Sequence, residues 1–174
     1  MFRDFTYIRS VLMPGENVLF ATSLHWVVYG KGLVTTLMGI ALSVGMRPVL
    51  AMLDNQDLAA QADLPAKILA ALVTFVGCSQ LLMAVLRQSG TELVVTNRRV
   101  VAKFGIVSRT TYELFLSKIE GADVQQTAWG RMLGYGTITI RGVGTNLMPI
   151  NYIDVPDKFQ NVLLSQIGAT RAAA

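Results

Sequence analysis

Catalysis needs groups that can meet, and this 174-residue chain offers few of them. Its one cysteine, Cys78, lies deep in an apolar run, where a thiolate is disfavoured, and a single cysteine forms no intrachain disulfide. Its one histidine, His25, stands beside Trp26 at the edge of another apolar run and reads as a polar residue of a membrane surface. Zinc requires about four ligands and a nucleophile needs a base within hydrogen-bonding reach. Neither constellation exists here, and no spacing points to a serine–lysine or paired-carboxylate site. The glycine-rich stretches 130–136 and 142–144 lack the strand-then-helix setting of a dinucleotide fingerprint and the Gly-Lys-Ser/Thr ending of a P-loop, so they read as turns. No catalytic residue, metal or cofactor is expected.

Basic residues form the one group with an evident chemical use. Arg98, Arg99, Lys103 and Arg109 are the candidates for contact with anionic lipid headgroups, each contributing about 1 kcal/mol near a charged leaflet. From Arg87 onward ten Lys and Arg stand against six Asp and Glu, a net charge of +4. The plainer alternative is arginines solvated on a turn. Nucleic acid is a poor partner, because aromatic residues are not interleaved with the basic ones.

Two apolar runs, 27–46 and 68–86, must position everything else. At 1.5 Å per residue each spans close to the ~30 Å hydrocarbon layer. Composition agrees, with 52% hydrophobic residues, 15% charged residues and a mean hydropathy of +0.47. The remainder offers one short amphipathic helix and strands, too little to cover two such helices. The expected organisation is an N-terminal cytoplasmic segment over 1–23, a transmembrane hairpin over 24–87 with a short external loop at 47–67, and a β-rich domain over 88–174. The segment ahead of the first run is long and of mixed polarity, unlike a secretory signal, so the first span is expected to stay in the protein. The loop holds Arg47 and Lys67 against Asp54, Asp57 and Asp63, whereas Arg3 and Arg9 precede the hairpin and Arg87, Arg98, Arg99, Lys103 and Arg109 follow it. Both termini are therefore expected in the cytoplasm.

Trp26, Tyr29, Lys31 and Arg87 read as interface anchors. Thr35, Gly39 and Ser43 recur every four residues on one helix, as do Ala70, Thr74 and Cys78 on the other. Such small-residue rows let helix backbones approach, either between the two helices or between copies of the protein. Gln80 favours an interhelical hydrogen bond.

From Thr91 the period becomes that of strands, placed at 92–96, 99–106, 110–116, 122–127, 137–141 and 146–152. Asn97 and Arg98 form a tight turn in which Asn tolerates positive φ, and Gly105 and Gly144 mark bends. Pro156 and Asp157 open a helix over 156–168 whose apolar face holds Phe159, Val162, Leu163 and Ile167. Trp129, Met132 and Tyr135 either offer a docking surface or, with Trp129 as the cap, close one end of the core.

Several stretches in this order resemble the bacterial PH-like, membrane-flanked domain family. They are Pro14-Gly15-Glu16 before a strand-like run, the two spans, the stretch 91–100 reading Thr-Glu-Leu-Val-Val-Thr-Asn-Arg-Arg-Val, then Gly105, 116–120 and 133–137. The resemblance implies an α+β membrane protein whose PH-like antiparallel barrel or sandwich, with seven strands in two near-orthogonal sheets, is capped by a C-terminal helix. It also implies the bacterial inner membrane and no established catalytic residues. Residues 16–23 either supply the seventh strand or serve as a linker after an interfacial helix over 2–13. The expected role is a non-enzymatic scaffold or interaction module on the cytoplasmic face that assembles with copies of itself. Anionic headgroup binding is the alternative. The expected partners are the phospholipid bilayer, further copies of the chain and an unidentified protein.

Overall fold

The computed structural model describes residues 11–51, 56–106, 108–146 and 149–172. The chain divides into two units, one comprising the residues up to His25 together with those from Arg87 onward, the other running from Trp26 to Leu86.

In the first unit eight strands form two antiparallel sheets among the described residues. β1 (Val18–Thr22), β2 (Glu92–Thr96), β3 (Arg99–Phe104) and β4 (Thr110–Phe115) lie side by side in chain order. The second sheet is built on β6 (Tyr135–Gly142), which pairs with β5 (Ile119–Gln125), β7 (Thr145–Asn146) and β8 (Ile150–Asp154). Among the described residues no ladder of named strands joins the two sheets, although just beyond β1 Leu24 bridges Ile153 of β8, so the domain is a sandwich joined at one corner and not the closed barrel that the sequence allowed. The segment expected as a single strand at 146–152 is divided between β7 and β8, which engage different stretches of β6.

The strands earn their place by alternation. Leu93, Val95, Val100 and Ala102 of the first sheet meet Ala122, Ile138, Ile140 and Ile153 of the second in one core. The C-terminal helix runs over Pro156–Ala172 and presses Phe159, Leu163 and Ile167 into that core. Gln160 Nε2 donates to the Ala122 carbonyl at 2.6 Å and fastens the helix to β5. β2 and β3 are buried on both faces, since Val94, Thr96, Arg99, Val101 and Lys103, which alternate with the core residues, are also covered.

In the second unit a 3₁₀ turn (Trp26–Tyr29) leads into α1 (Gly30–Ala51), followed by α2 (Gln56–Gly90), which extends beyond this unit into the first. The loop expected over 47–67 is thus largely helical where it is described. Ala, Gln and Leu are strong helix formers, and they carry the helix through Pro65 despite its missing N–H. Asp63 and Lys67 pair one turn apart on α2.

Two helices, over Trp26–Met46 and Gln61–Gly90, are long and apolar enough to cross a membrane. Their seam is made by glycines. A Cβ on Gly39 would overlap the Thr74 hydroxyl and lie 2.6 Å from its backbone nitrogen, and a Cβ on Gly77 would meet Thr36 in the same way. Gly32 approaches the backbone nitrogen of Leu81 as closely.

Candidate functional site

The expected basic cluster on the β2–β3 hairpin is divided by burial. Arg98 is exposed on the bend after β2, and Asn97 beside it needs no positive φ. Arg99, the next residue, is only 3% exposed. Its Nε and Nη2 each lie 2.9 Å from the two oxygens of Glu16, a bidentate fork. Nη1 donates to Glu113 at 2.6 Å and Nη2 to the Val11 carbonyl at 3.0 Å. Glu16 also accepts from the Thr96 hydroxyl at 2.7 Å and from the Met13 N–H at 2.9 Å, so each carboxylate oxygen holds two donors. Burial alone would push the Glu16 carboxyl up. The donated hydrogen bonds and the Arg99 charge outweigh it and hold the carboxyl below the usual range. The hydrogen bond to Glu16 in turn raises the Arg99 guanidinium further.

Lys103 is buried as well and reaches Glu92 at 3.2 Å. Of the four cations proposed for headgroups, Arg99 and Lys103 are therefore engaged inside the fold, and only Arg98 and Arg109 present exposed side chains. The signal that separates them is position: Arg99 and Lys103 alternate with core residues on a strand, whereas Arg98 and Arg109 lie outside strands.

The interface anchors divide differently. Trp26, Lys31 and Arg87 are exposed and Tyr29 is half-buried. His25, read as an interfacial residue, is buried. Its backbone N–H donates to the Tyr152 carbonyl at 2.7 Å, and its ring lies 5.5 Å from that of Tyr135, which in turn stands 5.9 Å from Tyr152. Tyr152 and Val155, both near this cluster in sequence, adopt left-handed backbone (φ 59° and 46°).

Among the helix-packing residues Gly39 and Thr74 touch and Ala70 is buried, whereas Ser43 and Cys78 lie exposed outside the seam. Thr35 and Gln80 form a polar pair at 3.2 Å between the helices. Gly32, Thr36 and Gly77, not singled out by the row pattern, complete the contact.

Where the sequence suggested a turn, residues 128–133 form a short helix, α3 (Ala128–Leu133). The Thr127 hydroxyl accepts from the Gly130 N–H at its start, and Gly134 closes it in left-handed conformation (φ 82°). A Cβ on Gly130 would stand 2.7 Å from the Tyr135 carbonyl, so glycine lets α3 fold back onto the start of β6. Trp129 is 69% exposed and caps no core.

No three His, Cys, Asp or Glu side chains converge on a metal position among the described residues. What the described residues bring together is buried and exposed ion pairs and exposed apolar surface. The family model for the bacterial PH domain matches residues 32–167. This chain belongs to the bacterial PH domain family. No curated protein and no solved structure matches it. PH domains are generally interaction modules and not catalysts. In this bacterial PH domain the family match begins inside α1, so β1 and Glu16 lie ahead of the matched region while their partners lie within it.

Proposed function

We propose that the protein is a non-enzymatic interaction module or scaffold, anchored in the inner membrane by a two-helix hairpin and assembling with copies of itself at the cytoplasmic face. The observation that carries this reading is the exposure of the apolar helices. Their most apolar windows are only 11% and 17% buried, with Val34, Val44, Phe75 and Leu82 facing outward. A core helix of a water-soluble domain would be mostly covered, and so much exposed aliphatic surface calls for hydrocarbon around it. The bias of Lys and Arg toward the segments outside the hairpin supports cytoplasmic termini.

Self-assembly needs a surface, and the small-residue faces of α1 and α2 are largely consumed by their own contact. The sheet edges remain. β1 and β4 are the outer strands of the first sheet, and β4 shows Tyr112 and Phe115 at 39% and 45% exposure. An edge with free backbone groups and aromatic side chains suits strand addition by a partner. The headgroup alternative through Arg98, Arg99, Lys103 and Arg109 is weakened by the internal pairing of two of those cations.

Membrane fractionation followed by mass measurement in mild detergent tests the reading. The expected result is a protein that resists an alkaline wash, needs detergent for release and then runs as a discrete oligomer. Release into aqueous buffer as a monomer would overturn it.

A further inference from the structure

We propose that α3 is a second membrane contact, with Trp129, Met132 and Leu133 dipping into the boundary between headgroups and acyl chains of the bilayer that holds the hairpin. The inference rests on the hairpin reading.

These three side chains are 69%, 77% and 42% exposed on a helix of six residues. They are held, not loose: Thr127 caps the start, Gly134 closes the end, and Gly130 lets the helix pack on Tyr135. A fixed apolar knob built around a tryptophan is costly to leave in water.

Its place in the domain selects the occupant. Tyr135, one residue beyond the α3 cap, stands against the ring of His25. His25 is the last residue of this unit before the chain enters the hairpin, and its backbone is bonded to Tyr152. At 1.5 Å per residue α3 is only about 9 Å long, so it begins and ends within a short reach of the residue at which the chain leaves this unit.

Charge agrees. α3 carries Arg131, exposed, and no acidic residue. Tryptophan beside arginine is the composition of an interfacial anchor, and anionic phosphates complement Arg131.

The chain holds two tryptophans, Trp26 and Trp129, which makes the test direct. Full-length Trp26→Phe and Trp129→Phe variants are placed in vesicles of phosphatidylethanolamine and phosphatidylglycerol bearing a quencher either near the lipid carbonyls or deep in the acyl chain. With Trp129 alone, the expected result is blue-shifted emission and greater loss with the shallow quencher than with the deep one. Water-like emission quenched only by aqueous iodide would overturn the proposal. So would blue-shifted emission insensitive to both lipid quenchers, which would mean that protein covers the knob. With Trp26 alone, insensitivity to the lipid quenchers would instead overturn the hairpin reading. A quenched Trp26 beside a water-like Trp129 would condemn the α3 contact alone.

Discussion

Glu16 and Arg99 are joined by a bidentate ion pair across 83 residues of sequence, with the entire apolar hairpin between them. The pair stands next to the β1–β2 ladder, in which Val18 faces Thr96 and Thr22 faces Leu93. The domain is thus completed by residues from both sides of the hairpin.

Removing one partner strands the other. Glu16→Ala leaves the Arg99 guanidinium buried beside Glu113 alone, and a loss of about 3–5 kcal/mol is expected. Arg99→Lys keeps the charge but not the fork and is expected to destabilise too. Thermal unfolding in detergent reads both. Arg98→Ala, at the exposed neighbouring position, is the control and should change stability by no more than about 0.5 kcal/mol.

Acid should loosen the same contact. Because the folded Glu16 pKa is depressed, its contribution is fully present above the unfolded glutamate value of about 4.3 and is lost as pH falls through the lower folded value. Arg99, shifted upward, stays charged throughout this range. The melting temperature of the wild type is expected to fall more steeply below that value than that of Glu16→Gln. Parallel curves would remove Glu16 as a source of the acid sensitivity.

A fragment of residues 87–174 lacks both β1 and Glu16, and it is expected to fail to fold. Joining residues 11–25 to its start through a flexible linker should restore a cooperative transition, read by circular dichroism. A fragment that folds equally well without residues 11–25 would show the first strand to be dispensable.

The α1–α2 seam is expected to resist any side chain at its glycines. Gly39→Val and Gly77→Val each push a group onto the opposing backbone and should cost about 1–3 kcal/mol. Ser43→Ala and Cys78→Ala, outside the seam, should be near neutral. Gln80→Leu, which removes the bond to Thr35, should cost about 0.6 kcal/mol. Unfolding of the detergent-solubilised variants ranks them.

Much of this was legible because it rests on periodicity. Val-rich runs within 92–104 and alternation along 137–141 marked the strands, and the spacing of Phe159, Leu163 and Ile167 marked the last helix and its buried face. What escaped depends on long-range pairing or on local capping. Nothing near Arg99 in sequence announces Glu16, so a buried ion pair looked like a solvated turn. Thr127 and Gly134 brace a helix too short for a periodic signal, so α3 looked like a turn and Trp129 like a core cap. The sandwich is open between β4 and β5, which share no ladder, and is joined where residues 23–25 meet β8; no strand pattern encodes either choice.

The most direct test of the membrane-anchored account is two-sided cysteine labelling in a Cys78→Ser background. An impermeant maleimide is applied to intact cells stripped of their outer layers and, separately, to inverted membrane vesicles. The account predicts that Asp57→Cys reacts only from the outer side and Ser165→Cys only from the cytoplasmic side. Labelling of both positions from the same side would contradict it.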